Sequence, residues 1–405
     1  MRARTSNALT APNPFLLALF WLGIQSVWGA LLGISLQARS IELVPSGAVI
    51  AYGHLATIGA ATAAVVQILA GIFSDARRRK GSRRIEFYAF GAAGGAAALA
   101  FFYDAHTFFA LTLAFVALQA TLNVAIGPYQ AIIPDFVSRA RIGIASSWMA
   151  ALQSAGNAVG ALAASFIANA GALAAALGGL LLATFALTSG HARKLPLQPG
   201  AEVEEPLRVT RPFVDLFISR ALVYVGFYTL LGYLLFYVEA LLGTGGLTGA
   251  KQTTGILIIS FTIVGTVGAA IAGRPSDKLD KRLVATFGAA GFIVALALFV
   301  SAKSLALAIV ATIVAGIGWG VFLVADWAIA CKVLPSSAMG TGMGVWNLAI
   351  LLPQIVAPAF TTLVLAQLGL SGGASAPRVA FSLALIETLV GIAWLWRLSP
   401  RAIGE

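Results

Sequence analysis

Apolar residues run along this chain in long, unbroken blocks. Residues 5–38, 43–74, 143–190 and 338–377 contain no Asp, Glu, Lys or Arg. A helix needs about 20 apolar residues to cross a bilayer core, so the longest blocks must hold one crossing helix and part or all of its returning neighbour. The pattern predicts twelve spans: 15–37, 47–74, 85–103, 108–135, 142–167, 171–189, 213–241, 252–273, 283–301, 304–332, 338–367 and 379–397. The sizeable polar stretch, 190–212, holds Pro196, Pro199, Pro206 and Pro212 together with Glu202, Glu204 and Glu205. It predicts a mobile linker between two six-helix halves, 1–189 and 213–405. The first apolar block has no small-residue cleavage site with a polar sequel, so it is expected to be a retained helix.

Composition narrows the solvent. The chain has 405 residues, 59% hydrophobic and only 10% charged, with a mean hydropathy of +0.91. A soluble protein carries about a quarter charged residues, so lipid must cover most of this surface. The net charge of +11 invites a nucleic-acid reading, but its distribution excludes one. All Lys and Arg except Arg39, Arg220, Lys251, Lys303 and Arg378 fall in the termini and alternate loops. This is the positive-inside asymmetry, and it puts both termini in the cytoplasm. Cys331 is the single cysteine, so no internal disulfide can form.

One signature occurs twice. Gly71-Ile72-Phe73-Ser74-Asp75 leads into Arg77-Arg78-Arg79-Lys80-Gly81-Ser82-Arg83-Arg84, and Gly273-Arg274-Pro275-Ser276-Asp277 leads into Lys278-Leu279-Asp280-Lys281-Arg282. Each copy joins two apolar blocks in corresponding places of the two halves. A membrane chain built from repeats is most simply read as a transporter. Within the spans, Gly91-x-x-x-Gly95 and Gly156-x-x-x-Gly160 set two glycines on one helix face, where backbones can approach closely.

On these motifs, length, span number and linker, the chain resembles the major facilitator superfamily. The resemblance implies an all-α membrane protein of twelve transmembrane helices, in which two six-helix bundles in pseudo-twofold arrangement surround a central cavity with alternating access. It implies a cytoplasmic gate in which Asp75 latches to the start of the eleventh span with Arg83 and Arg84 as its charged partners nearby, and in which Asp277 and Arg282 do the equivalent in the second half. A finer resemblance rests on two stretches. One is Asn123 with Pro128-Tyr129-Gln130-Ala131, Pro134-Asp135 and Arg141. The other is Asp326-Trp327-Ala328, Leu334-Pro335, Gly344-Val345-Trp346-Asn347 and Pro353-Gln354 with Pro358. They are similar to the sucrose/proton symporter branch, related to glycoside–cation symporters. Asp135 and Arg141 join the expected gate. Lys332 stands where that branch suggests an acid, which breaks the symmetry of a gating pair.

Asp326 is the sharpest candidate. It lies about nine residues before Pro335, roughly 13 Å of helix, in a stretch with no other charge from 316 to 330. An ionised group in hydrocarbon costs several kcal/mol, so such residues face a cavity or a partner. Asp326 is expected to couple protons or accept a hydrogen bond from solute. The alternative is a structural pair with Lys332 or Arg220. Glu239 is expected at an interface, and Glu387, in the twelfth span, as a packing or lipid-edge residue. His54 and His106 are expected to be structural.

By the family's architecture, the cavity receives Gln25, Trp28, Gln119, Asn123, Tyr129, Gln130, Tyr224, Tyr228, Trp327, Trp346, Asn347 and Gln354. Amides and phenols hydrogen-bond hydroxyls, and aromatic faces stack on the apolar face of a sugar ring. Tyr233 and Tyr237 are expected in an interfacial belt. No phosphate loop, His-Glu-x-x-His, paired cysteines or nucleophile elbow is present, so neither an enzyme nor a cofactor or metal site is expected. The expectation is a monomeric secondary active transporter in the cytoplasmic (inner) membrane. It moves a small neutral polar solute, a sugar or glycoside, together with H⁺. The competing readings are a proton-coupled exporter of drugs or metabolites and a non-transporting sensor. Exporters of the superfamily it resembles often carry a Gly-Pro pair in the fifth span; residues 142–167 contain no proline, which favours symport or facilitated diffusion.

Overall fold

The computed structural model describes residues 12–138, 141–197, 209–241, 245–333 and 339–399. Residues 198–208 of the expected linker and the Leu334-Pro335 pair lie outside them. The described residues are helical throughout, with no strand. Helix α1 (Pro14–Leu43) is capped by Asn13, whose side chain accepts from the Phe15 and Leu16 N–H groups. It is followed by α2 (Ala48–Arg79), α3 (Ile85–Asp104), α4 (Phe108–Tyr129), α5 (Ile142–Phe166) and α6 (Ala170–Ala192). After the linker come α7 (Arg211–Leu241), α8 (Leu247–Lys278), α9 (Lys281–Ser301), α10 (Leu305–Val333), α11 (Met339–Gln367) and α12 (Ser375–Leu395).

Among the described residues, 11 helices are long and apolar enough to cross a membrane. Helix α5 is long enough at 25 residues but carries Ser146, Ser147, Gln153, Ser154 and Asn157, which dilute its hydropathy. The expected fourth span, 108–135, is not continuous. Pro128 and Pro134 each lack an N–H to donate, so the helix stops at Tyr129 and resumes as the short turn Ile132–Phe136. A π-helical turn, Leu31–Ser35, interrupts α1. Large apolar side chains point outward, Phe287 at 73% exposure and Ile68 at 63% among them. Such a surface suits hydrocarbon.

The chain gathers into two compact units. The first comprises 1–30, 61–163 and 167–201; the second comprises 31–60, 164–166 and 202–405. The division cuts α1 at the π-helical turn and cuts α2 between Ala60 and Ala61.

In the first unit, α3 packs on α4 and α6, and the leading part of α1 packs on α6. The paired glycines are where backbones meet. A Cβ at Gly156 would lie 2.6 Å from the Leu22 carbonyl oxygen, and one at Gly95 would lie 2.6 Å from a Leu122 methyl. In the second unit, α10 is sandwiched between α8 and α9. Residues 316 and 320 are four apart and share a face, while 318 points away from them. Accordingly a Cβ at Gly316 would meet the Phe261 carbonyl of α8 at 2.7 Å, and one at Gly318 would meet the Gly288 carbonyl of α9 at 2.6 Å. Helix α7 packs on α11 and α12, and α9 packs on α12.

These contacts set a prediction. Gly318→Ala is expected to cost about 1–3 kcal/mol through overpacking and to lower the thermal unfolding midpoint in detergent. Gly179→Ala, at a helical glycine with nothing within 4 Å, should leave the midpoint unchanged or raise it. Equal effects would contradict the packing argument.

Candidate functional site

The charged ends of the first unit converge on one carboxylate. The Ile132–Phe136 turn carries Asp135 into a buried position. There Arg84 Nε donates to it at 2.9 Å and Arg78 Nε at 3.0 Å. Arg84 Nη1 also reaches Ser74 Oγ at 2.8 Å and Asp75 Oδ1 at 2.6 Å. Arg84 thus ties Asp135 to Ser74 and Asp75, the Ser-Asp pair of the first repeated signature. Burial alone would weaken its hold on the proton. Asp135 and Asp75 more than offset that, and the net shift is upward. Its backbone sits in the left-handed region at φ 61°, an unfavourable conformation for a side chain this large, held by three anchors at once.

Arg83 does not join this cluster; it donates to the Leu195 carbonyl at 3.3 Å. Arg141 stands exposed before α5. Arg78 is a member that the sequence motif left open.

The second copy is built differently. Arg282 pairs with Asp280, whose carboxylate also accepts from the Arg282 N–H at the start of α9. Arg282 Nη1 donates to the Leu398 carbonyl at 2.7 Å. The shorter loop puts Arg282 in the first helical turn, within reach of its own capping acid. The side chain of Asp277 lies outside the described residues.

Asp326 sits in α10 beside Arg220 of α7. The two are 3% and 4% exposed and form an ion pair through Arg220 Nη1 and Asp326 Oδ2. The guanidinium lies 3.5 Å from the Trp346 ring centroid and 4.8 Å from the Tyr224 ring, and its Nη2 reaches Tyr224 Oη at 3.4 Å. Arg220 is therefore well inside its helix rather than at the start. Arg220 Nε and Trp346 Nε1 are buried with no hydrogen-bond partner among the described residues. Nearby on the same pair of helices, α7 and α11, Gln354 Nε2 donates to Tyr228 Oη at 2.8 Å. Tyr224 continues into an aromatic cluster in which Trp319 stacks on Phe227 at 4.3 Å and 13°.

Other expected solute residues divide. In the first unit Gln25 faces Gln153 at 3.5 Å across α1 and α5. Asn123 donates to the Gln119 side chain and carbonyl within α4. Trp28 is half-buried and Gln130 exposed. Tyr129 is a correction. It is fully buried, its ring is packed by Phe20, Trp21 and Tyr88, and its hydroxyl donates to the Leu17 carbonyl at 2.7 Å. It anchors α1 rather than offering a free hydroxyl.

In the second unit Trp327 is 54% exposed and meets Trp346 edge-on. The side chain of Asn347 lies outside the described residues. Tyr233 and Tyr237 are not a surface belt: both are buried, Tyr233 against Thr362 at 3.0 Å. Glu239 is exposed. A cavity of about 630 Å³ opens in the first unit, lined by residues such as Ala96, Ala100, Tyr103, Asp104, Gly171 and Gly178. It touches none of the expected solute residues.

Comparison with known proteins fits this arrangement. A search of curated protein sequences gives no match. Among solved structures, the chain is similar to a bacterial homologue of the human lysosomal transporter Spinster, in an inward-facing and occupied conformation. The TM-score is 0.74 at 15% identity, covering 96% of this chain and 100% of that one. It is also similar to a D-xylose–proton symporter (0.70, 13%, 96% and 98%) and to the nucleoside transporter NupG (0.69, 14%, 95% and 99%). At these identities the likeness is one of fold. The family model of the Major Facilitator Superfamily matches residues 13–358 and, in a second match, 216–404. The chain belongs to the Major Facilitator Superfamily.

Proposed function

We propose that this chain is a proton-coupled symporter of a small neutral polar solute, a sugar or glycoside, working by alternating access in the cytoplasmic membrane with both termini inside. The observation that carries the reading is the Arg220–Asp326 pair with its two unpartnered donors. Arg220 Nε–H and Trp346 Nε1–H still need acceptors. A solute hydroxyl supplies them at the cost of a hydrogen bond to water, and the neighbouring Trp346, Tyr224 and Tyr228 rings supply flat apolar faces.

Coupling follows from the same pair. While Asp326 is ionised, it holds Arg220. Protonation removes the charge that Arg220 was matched to, and the guanidinium becomes free to bind a solute oxygen. Solute and proton then favour the same state, which is the thermodynamic requirement for symport. The D-xylose–proton symporter of similar fold is consistent with this pairing of cargo and ion. In the first unit, the Arg78–Asp135–Arg84–Asp75 network is assigned as the cytoplasmic gate, since it clasps the loops on that face.

Asp326→Asn is expected to abolish uphill accumulation in proteoliposomes with an imposed proton gradient, while sparing solute exchange at equal concentrations. Accumulation at the wild-type level would remove Asp326 from the coupling role. In a thermal-shift screen, hexoses or glycosides should raise the melting midpoint of the purified chain, and hydrophobic cations should not. The reverse outcome would favour the exporter reading. Arg84→Ala leaves Asp135 with one cation instead of two and should slow transport at least several-fold. Arg84→Lys should recover only part of the rate, because an ammonium cannot reproduce a fork that grips three partners.

A further inference from the structure

Glu387 lies in the middle of α12 and is 9% exposed. Its Oε2 is 3.4 Å from Thr229 Oγ1 of α7. Its Oε1 is enclosed, with no hydrogen-bond partner among the described residues. Thr229 Oγ1 is in turn 3.4 Å from Thr361 Oγ1 of α11, and on the next residue Thr362 Oγ1 meets Tyr233 Oη at 3.0 Å. Four hydroxyls of α7 and α11 therefore stand in two pairs, one of them on the carboxyl itself.

No cation stands among them. Helix α12 packs on α7, α9 and α11. From α7 the titratable group facing Glu387 is the Tyr233 phenol, and residues 221–238 of that helix are otherwise uncharged. Helix α11 has no charged residue at all. The α9 stretch level with Glu387 lies between the Thr286–Trp396 and Phe299–Phe381 contacts, and it too is uncharged. On α12 itself Arg378 is nine positions away and is directed at Tyr237. An ionised carboxylate here would be a bare charge among apolar helices, which costs several kcal/mol. A neutral acid avoids that cost and donates a hydrogen bond.

The Tyr233–Thr362 pair lies beneath α2. Within the second unit, the Tyr52 ring of α2 lies edge-on to Tyr233 at 5.6 Å. The next residue, Gly53, lies so close to Thr362 that any Cβ would overlap its side chain. Tyr52 and Gly53 thus close over the Tyr233–Thr362 pair.

We propose that Glu387 is a proton-binding site, distinct from the Arg220–Asp326 pair, which takes up and releases a proton when the contact of α2 with Tyr233 and Thr362 opens. Release breaks the carboxyl O–H bond; the electron pair stays on Glu387 and the proton passes to water admitted by the opening. The site depends neither on the solute nor on the role of Asp326, so its test uses protein without solute.

The test is infrared spectroscopy of the full chain in lipid vesicles across a pH titration, following the C=O stretch of protonated carboxyls. The wild type should show such a band at neutral pH that is lost reversibly in alkali. The band should be missing in Glu387→Gln and retained in Asp326→Asn. Identical bands in wild type and Glu387→Gln at every pH would overturn the assignment. Thr229→Val keeps the acid and removes its partner, and it should move the band to higher frequency; an unmoved band would place the proton elsewhere. Transfer to heavy water reports access, because deuteration shifts the same band. Tyr52→Ala should speed that shift about tenfold or more, the effect of about 1.4 kcal/mol lost from closure. A rate equal to wild type would overturn the link to α2.

Discussion

A charge surrounded by hydrocarbon must be matched within a few ångströms or neutralised, and this constraint organises the polar interior of the chain. Asp135 meets Arg84 and Arg78, Asp326 meets Arg220, Asp215 meets Arg211, and Arg282 meets Asp280. Apart from Arg211–Asp215, which lies within the first turns of α7, each pair joins different helices or fixes a loop to a helix end. The pairs therefore do two things at once: they make burial tolerable, and they decide which helices move together. Glu387 is the exception among the described buried ionisable groups, having hydroxyls but no opposite charge. Pairing and neutralisation are both reversible by a proton.

Around these pairs, the rest of the interior is held by contact rather than by water exclusion. Lipid tails are as apolar as leucine, so apolar side chains gain little by leaving them for one another. What remains is close backbone approach. Gly156 and Gly160 bring α5 onto α1, and Gly316, Gly318 and Gly320 let α10 lie between two neighbours. Such seams can slide or separate without exposing a hydrophobic core to water. The π-helical turn of α1, at the place where the helix passes from one compact unit to the other, is a further point of adjustment.

Much of the fold was legible because lipid imposes a coarse rule. Uncharged blocks of a given length have to be helices, and the ends of the expected spans fall within six residues of those of the observed helices. The break after Tyr129 was written in Pro128 and Pro134, but the long apolar run concealed it. The site was less legible. A carboxylate at 326 announces a partner somewhere, yet sequence spacing could not choose between Lys332, six residues on, and Arg220, 106 positions away in the chain. The best available signal was that Arg220 is the one cation well inside an otherwise apolar span. Tyr129 misled for a related reason: a phenol in a cavity-lining span can point at solute or at the backbone of its neighbour, and only packing decides. Glu387 was set aside because its span was expected to stand apart from the solute path, although burial without a counter-charge made it one of the more informative acids in the chain.

The central claim, that buried charges here are held by their partners and not by water, is tested most directly by a double-mutant cycle on thermal or denaturant stability across Arg220 and Asp326. Arg220→Met and Asp326→Leu should each destabilise strongly, by about 3–5 kcal/mol, since each leaves a bare charge. The double variant should recover most of that loss, giving a coupling energy of similar size. Additive losses, with the double variant as unstable as the sum of the singles, would mean that the two side chains do not depend on each other, and the account would fail at its centre.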